Sequence, residues 1–315
     1  MLMNNQADRV FLAERVSFNL SKNFYYGGQA VIEGVMMRGR TSMAIAVRKP
    51  SGGIQVKEDE VGSITRRFPI LKWPLIRGVV ALIEALVIGM NALSYSASIF
   101  TEEEEEQLGA KEIALTIVVA ILLSVGLFIA LPAFVIRLVQ AYISSDILLN
   151  LTEGLIKITF FLGYVVIISF MPDIRRVFEY HGAEHKSINC YEAGKELTVE
   201  NIRSHSRLHR RCGTSFIVIV LIVSILVFSF FGRPQYLQRV LLHLALMPLV
   251  AGIAYEFIRL AGRKDAPRLF AVLSLPGVWT QYITTREPDD QQIEVAIRSL
   301  GAVLDHDQDS KPAVP

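Results

Sequence analysis

Cysteine is scarce in this chain of 315 residues, because only Cys190 and Cys212 occur. Two cysteines exclude a framework of several disulfides, which needs at least four. Charged residues are also few, at 20% of the chain, whereas apolar residues make up 52% and the mean hydropathy is +0.40. This composition excludes an ordinary soluble domain and predicts a membrane protein.

Three familiar sequence signals are missing. Charges interrupt every apolar run in the first 24 residues and no cleavage site follows, so no signal peptide is predicted. The glycine-rich stretch at 27–40 lacks both the phosphate-loop ending and the dinucleotide spacing, so it is predicted to be a loop near the membrane, with Glu33 as a distant ligand or base. The basic residues are distributed as in a membrane protein, whose short cytoplasmic loops carry the excess of lysine and arginine, so no nucleic-acid partner is expected.

Long apolar runs are what the chain has instead. A membrane span needs about 20 mostly apolar residues. Four runs are predicted to be transmembrane helices, and Lys157, just before the second, is expected to extend its long stem towards the interface. The four runs are Ile113–Ile136, Ile158–Pro172, Thr214–Gly232 and Val240–Tyr255.

The distribution of lysine and arginine predicts the topology. Basic residues are concentrated before residue 78, between residues 173 and 212, and after residue 258, whereas the 137–151 connection has a single arginine. Because short cytoplasmic loops carry the excess of basic residues, both termini and the 173–212 loop are predicted to be cytoplasmic. A fifth span at 78–98 would break this rule and contains Glu84, so a surface-lying or re-entrant helix is predicted there. The acidic run Glu102–Glu106 is predicted to be a solvated linker.

The predicted fold is therefore a mainly α, polytopic membrane protein with about four transmembrane helices. Two short strands, Ala44–Arg48 and Ile54–Lys57, predict a small N-terminal β-hairpin. Near the C-terminus Pro288 suits the first helical position, and Ile293, Ile297, Leu300 and Leu304 form an apolar stripe for structural packing or partner binding. The last residues are expected to be disordered.

The chain is predicted to consist of six segments. The segments are an N-terminal cytoplasmic region with short strands (1–77), an interfacial helix with an acidic linker (78–112), transmembrane helices 1 and 2 (113–172), a histidine-rich cytoplasmic helical hairpin (173–213), transmembrane helices 3 and 4 (214–258) and a C-terminal cytoplasmic tail with an amphipathic helix (259–315).

The candidate functional site is the sequence YHGAEH, residues 180–185. A helix is predicted from about Asp173 to Tyr191, closed by Gly194, which places His181 and His185 on one face. Two imidazoles so placed can bind Zn²⁺ together. The order H-x-x-E-H is that of inverted zincins, in which Glu184 would act as general base towards a water molecule.

A second histidine pair, His205 and His209, follows in SHSRLHRRC. A helix starting near the N-cap Thr198 is predicted to place both on one face, opposite the first pair in a helical hairpin. Cys190 and Cys212 lie nearby, and thiolates are good zinc ligands. A divalent metal site, structural histidines and a pH-sensing cluster are all open at this point. A closed set of four ligands would be structural, whereas a catalytic site would keep one position open.

Three blocks of this chain resemble the YqhQ-like family of bacterial multi-pass membrane proteins, which are described as predicted metal-dependent enzymes of unknown function. The blocks are GGQAVIEGVMMRG, the region from YHGAEHKSINCYE through LTVENIRSHSRLHRRCGTSF, and TTREPDDQQIEVAI. The resemblance implies that the signature residues include His181, Glu184, His185, His205, His209 and Cys212. It also implies a location in the bacterial inner (plasma) membrane.

Two functions from different classes follow. The first is a membrane-anchored, zinc-dependent hydrolase with Glu184 as general base, acting on a peptide or lipid-linked substrate at the cytoplasmic face. The second is a non-catalytic scaffold or assembly factor, in which a metal clip supports cytoplasmic parts that dock a protein partner and Glu184 pairs with Arg207 or Arg211. A transporter is a third hypothesis and would need ionisable residues at mid-membrane, for which Glu84 and Glu256 are the best candidates.

Overall fold

The computed structural model describes residues 26–62, 64, 68–101, 110–262 and 267–309. Within these ranges the chain is mainly helical, with a small antiparallel sheet. Many large apolar side chains on the long helices are exposed, such as Leu122 at 65% and Ile167 at 70%. Such a surface is compatible with contact to a lipid bilayer. By length and composition, five helical segments of the described chain could cross a membrane: Ile76–Phe100, Leu115–Tyr142, Asp146–Ile168, Gly213–Phe231 and Tyr236–Ala261.

The described helices follow one another along the chain with short connections. A π-helical turn, Gly126–Ala130, joins the second helix to the third. The helices are α1 (Ile76–Thr101), α2 (Ala110–Val125), α3 (Leu131–Val139), α4 (Asp146–Ile168), α5 (Pro172–Glu192), α6 (Val199–Arg203), α7 (Gly213–Phe228), α8 (Tyr236–Ala261), α9 (Arg268–Leu273), α10 (Leu275–Thr284) and α11 (Asp290–Asp309).

The N-terminal sheet has four strands in sequential antiparallel order: β1 (Gly27–Val31), β2 (Gly34–Arg38), β3 (Ser42–Arg48) and β4 (Ile54–Glu60). The two predicted strands are confirmed as β3 and β4, but the prediction of a loop at 27–40 was wrong. That segment forms β1 and β2, which lack clear polar alternation because both faces of the sheet are covered. Gly34 is required in β2, since a Cβ there would lie 2.4 Å from the Ala46 carbonyl oxygen.

Helix α4 begins at Asp146, twelve residues before the start of the predicted span. Ser145 caps it, with its hydroxyl accepting a hydrogen bond from the Leu148 N–H at 3.4 Å. The helix continues through charged residues because Glu153 and Lys157 pair across one turn at 2.9 Å. The Lys157 side chain is buried among the helices, so the expectation that it extends to the interface was wrong.

Helix α1 covers one face of the sheet. Ala92 is fully buried against Val31 and Met36, and the Ser96 hydroxyl accepts a hydrogen bond from the Ile32 N–H at 3.2 Å. The start of α1 docks near the end of α8, where Arg77 Nε donates to Glu256 Oε1 at 2.6 Å. Helix α1 therefore follows the sheet over its second half.

The opposite face of the sheet packs on α5 and α11. Ile293, Leu300 and Leu304 of α11 are buried, so the predicted apolar stripe is confirmed as structural packing. The helix starts after Asp289, which shares a reciprocal cap with Gln292, and not at Pro288. The acidic run at 102–106 and the end of the chain after residue 309, predicted to be a linker and disordered respectively, lie outside the described residues.

Candidate metal centre

The prediction of a helix at 173–191 is confirmed by α5. Pro172 occupies its first turn, where a proline costs no hydrogen bond, and Gly194 ends the helical region with a φ of +69°. His181 and His185 are one turn apart on α5, with ring centroids separated by 4.4 Å. The two imidazoles therefore lie side by side on one face of α5.

Backbone carbonyls orient both rings. His181 Nδ1 donates to the Thr284 carbonyl at 2.8 Å, and His185 Nδ1 donates to the Arg207 carbonyl at 2.6 Å. A carbonyl only accepts, so the Nδ1 of each ring carries a proton, and Nε2 is the nitrogen that could bind a metal. Metal-binding histidines are held in this way, with the non-ligating nitrogen donating to a carbonyl or carboxylate.

Cys212 brings a thiol to the histidine pair. Its sulfur lies 3.2 Å from His181 Nε2 and caps α7 by accepting from the Thr214 N–H at 3.4 Å. One ligand atom from each of His181, His185 and Cys212 lies within 4.8 Å of the other two. The beginning of a long apolar helix thus supplies the third member of the cluster.

His209 lies beside this cluster, with its ring centroid 5.5 Å from that of His185. Gln281 holds its backbone on both sides: the Gln281 side-chain oxygen accepts from the His209 N–H, and its amide nitrogen donates to the His209 carbonyl, both at 2.7 Å. Burial lowers the pKa of His209, although the carboxylate of Glu192, 3.8 Å from its Nε2, acts in the opposite direction. His209 therefore packs beside the cluster, although the three grouped ligand atoms do not include one of its own.

His205 is placed differently from the prediction. Thr198 does cap α6, but the helix ends at Arg203 instead of continuing through His209. Asn189 of α5 donates to the carbonyls of Ser206 and Leu208 at 2.7 and 3.1 Å, which holds this segment in a non-helical path along α5. His205 Nδ1 donates to the Asn201 carbonyl at 2.7 Å, and the three-residue cluster does not include it.

Cys190 is also separate from the cluster. Its thiol is fully buried and donates to the Glu196 carbonyl at 3.4 Å. Burial raises the pKa of this thiol to about 11, so it is a poor thiolate ligand.

Glu184 faces the sheet beneath the cluster. It is 4% exposed and accepts a hydrogen bond from the Gly28 N–H. A Cβ at Gly28 would lie 3.1 Å from the Glu184 carboxyl carbon, so the glycine permits this close approach. Burial raises the pKa of Glu184 to about 7, against the opposing effects of His181 and Gly28.

The predicted pairing of Glu184 with Arg207 or Arg211 was wrong. Arg207 donates to the Thr285 hydroxyl at 2.9 Å, and Arg211 forms an ion pair with Glu192. Glu33, left open above as a distant ligand or base, instead pairs with Arg176 through a 2.6 Å contact and accepts from the Tyr180 hydroxyl at 3.2 Å. Glu33 therefore connects the turn between β1 and β2 to α5.

The segment 284–288 closes the cluster, and reasoning from the residues alone missed it. The Arg286 N–H donates to the Phe178 carbonyl at 2.8 Å, and a Cβ at Gly182 would lie 2.0 Å from the Arg286 carbonyl oxygen. Buried Lys186 pairs with Glu287 at 2.8 Å. The only signal was that this segment, TTREP, begins the third family-like block. The predicted C-terminal tail is therefore part of the site.

The cluster suits a zinc ion by its donor chemistry. Two imidazole nitrogens with fixed tautomers and one thiol are the ligand types that zinc prefers. In a tetrahedral zinc site neighbouring ligand atoms lie about 3.5 Å apart. The three candidate ligand atoms lie within 4.8 Å of one another, which is close to but looser than this spacing.

Comparison with known proteins places the chain in a family. Residues 73–306 match the family described as protein of unknown function (DUF1385). The chain is 37% identical over 293 residues to the uncharacterized protein YqhQ of Bacillus subtilis (strain 168), covering 89% of this chain and 92% of that protein. No solved structure matches. The chain belongs to this family, as the sequence blocks predicted, and the family supplies no established activity.

Proposed function

We propose that this protein is an integral membrane protein with a divalent metal centre, suited to zinc, formed by His181, His185 and Cys212. The observation that carries the proposal is the orientation of the two imidazoles, whose Nδ1 atoms are held by backbone carbonyls while Nε2 of His181 approaches the Cys212 sulfur. Histidines that bind a metal are usually held in this way, with the non-ligating nitrogen donating to a carbonyl or carboxylate.

The metal centre would lie at the cytoplasmic face of a bacterial inner (plasma) membrane. It is next to the end of α4, the start of α7 and the end of α8, since Gly262 packs on the Arg211 side chain. The basic residues of the chain are concentrated at this end, which favours the cytoplasm. Both Tyr26 and Asp307 pack in this part of the molecule, so both ends of the described chain would be cytoplasmic.

Helix α1 would lie along the membrane surface instead of spanning it, leaving four transmembrane segments. Its inner side packs on the sheet, and its outer side carries an exposed apolar stripe of Ile83, Leu86, Val87 and Met90. That stripe, spaced at three and four residues, suits burial in the headgroup boundary.

The function that the geometry supports best is a metal clip that fastens the cytoplasmic sheet and segment 284–288 to the membrane helices. His185, Cys212 and His209 are each at most 7% exposed and His181 is partly buried, which favours a closed site over an accessible one. With His209 as fourth ligand the set would be saturated, as in structural zinc sites. The cytoplasmic surface so fixed would then dock a protein partner.

A metal-dependent hydrolase is the second candidate, favoured by Glu184. This buried carboxyl group lies three residues after His181 in α5, within the electrostatic influence of its ring. A catalytic zinc site has three protein ligands, and zinc would supply Lewis acidity. In this function Glu184 would accept a proton from the attacking water, while His209 would stay outside the ligand set.

Metal content per chain tests the centre itself. We expect about one zinc per chain by mass spectrometry of the detergent-purified protein, lost in His181→Ala and Cys212→Ser. His205→Ala is the matched control and should retain the metal, because His205 is bonded to the Asn201 carbonyl instead. Retention of zinc in His181→Ala, or its loss in His205→Ala alone, would contradict the assignment.

Cobalt substitution separates the two functions. In a closed site, adding azide to the cobalt form should leave the visible spectrum unchanged, while His209→Ala should make the spectrum respond. An azide response in the wild type would indicate an open position and favour the hydrolase. In that case Glu184→Gln should keep its metal, and hydrolysis of model peptides and esters should be lost.

A further inference from the structure

A second polar cluster lies inside the helical bundle, away from the metal centre. It joins Glu153 and Lys157 of α4 to Arg239 and His243 of α8, and each of the four is at most 8% exposed. Glu153 is the shared partner: Arg239 Nη1 pairs with one oxygen, while Lys157 Nζ and His243 Nε2 lie 2.9 and 3.2 Å from the other. One carboxylate is thus surrounded by three basic side chains.

The position of this cluster makes its charge important. Lys157 lies eleven residues from either end of α4, at the middle of an apolar helix. The formal charges of Lys157 and Arg239 together exceed that of Glu153 by one. Ionisable groups at such depth are costly and usually mark functional sites. The excess positive charge favours an anion nearby.

The guanidinium of Arg239 has donor capacity left for such an anion. Its Nη1 pairs with Glu153, whereas its buried Nη2 has no hydrogen-bond partner among the described residues. Arg239 also lines a cavity of about 380 Å³ between α3 and the start of α8. Arg137, Gln140 and Gln235 are the other strongly polar residues of its wall, and the cavity residues include no carboxylate.

We propose that this cavity binds a phosphate group between Arg137 and Arg239. Arginine binds phosphate oxygens through paired N–H groups, and two arginines would share the anion's charge. The remaining wall is apolar, including Ile136 and Leu237, and Leu237 is 65% exposed on the outside of the bundle. Such a wall suits the acyl chains of a phospholipid, whose headgroup would lie at the end of the helices opposite the metal centre.

Ligand binding to the full-length, delipidated protein in detergent tests the site, read by native mass spectrometry and by the shift in melting temperature. The probes are phosphatidylglycerol, diacylglycerol without phosphate, and inorganic phosphate. We expect phosphatidylglycerol to bind at one site per chain and to raise the melting temperature, and Arg137→Gln to weaken it by about tenfold. Arg137→Gln is preferred to Arg239→Gln, which also removes a partner of Glu153.

Arg233→Gln is the control for general surface charge, since Arg233 lies at the same end of the helices but pairs with Asp146 outside the cavity. It should bind phosphatidylglycerol as the wild type does. Competition by inorganic phosphate would identify a free anion as the source, and its absence a lipid headgroup. Equal binding of diacylglycerol, or equal affinities of wild type and Arg137→Gln, would overturn the proposal.

Discussion

The metal centre lies on α5 and at the start of α7, the buried ionic cluster lies on α4 and α8, and the two are assembled in different ways. The metal centre takes its candidate ligands from residues 181–212, brought together by a helix, an extended segment and a helix start. The ionic cluster joins Glu153 to Arg239, 86 positions away in the chain. The first is built from two imidazoles and a thiol, of which only the thiol loses a proton on binding a metal, whereas the second depends on buried charges that compensate one another.

This difference predicts different responses to mutation. Removing one ligand from the metal centre leaves the other imidazoles hydrogen-bonded to backbone groups. Removing Glu153 leaves two cations in an apolar bundle without their shared partner. The ionic cluster should therefore be the more fragile of the two towards single substitutions.

The largest expected effect is that of Glu153→Gln. Breaking a buried ion pair by removing one partner costs about 3–5 kcal/mol, so we expect this variant to lose monodisperse protein in detergent and to melt at a much lower temperature. Asp146→Asn is the matched control on the same helix, because its pair with Arg233 is exposed and should contribute at most about 1 kcal/mol. Equal melting temperatures for the two variants would contradict the comparison.

A smaller effect is expected from Gly182→Ala. The new methyl group would lie 2.0 Å from the Arg286 carbonyl oxygen and would push segment 284–288 away from α5. We expect a loss of about 1–3 kcal/mol in thermal or denaturant unfolding. Because Thr284 orients His181, zinc content should fall as well.

Gly301→Ala provides the control, since a Cβ at Gly301 of α11 meets nothing within 4 Å. Replacing this helical glycine should stabilise the protein by about 0.5–1 kcal/mol and leave zinc unchanged. Full zinc content in Gly182→Ala would show that segment 284–288 does not support the metal centre.

The fold was only partly predictable from the sequence, and the misses share a physical cause. Strands β3 and β4 and helix α5 follow from alternation, turn residues and caps, and they are where expected. Strands β1 and β2 were missed because both faces of the sheet are covered, which removes the polar alternation that marks a strand. The start of α4 was missed because charged residues usually end an apolar segment, and Glu153 and Lys157 lie within this helix. Their charges are compensated by each other and by residues of α8, which the local sequence does not reveal.

The candidate site shows the same limit. The spacing of His181 and His185 along a helix predicted their proximity, and Cys212 is beside them. The prediction that His205 and His209 share a helix face was wrong. A spacing of four residues implies a shared face only within a helix, and Asn189 holds residues 206–208 in a non-helical conformation. Segment 284–288 and Gln281 come from distant parts of the chain, for which local patterns carry no information. The ionisable residues buried among the long helices are Glu153, Lys157, Arg239 and His243. The two candidates named for a transporter have other partners: Glu84 accepts from the Ile64 N–H, and Glu256 pairs with Arg77.

The smallest expected effect is a difference in alkylation between the two cysteine thiols when the metal is removed. Chelation should expose Cys212 to iodoacetamide at pH 8, whereas Cys190 should stay unmodified because burial raises its pKa to about 11. Peptide mapping after alkylation, with and without chelator, reports both residues in one sample. Modification of Cys190 on chelation, with Cys212 unchanged, would place the metal elsewhere.

X-ray absorption at the zinc edge of the purified wild-type protein tests the central claim most directly. The proposed centre predicts a first shell with one sulfur at about 2.3 Å and two or three imidazole nitrogens at about 2.0–2.1 Å, and Cys212→Ser should lose the sulfur contribution. A wild-type shell made only of oxygen and nitrogen, unchanged in Cys212→Ser, would contradict a centre formed by His181, His185 and Cys212.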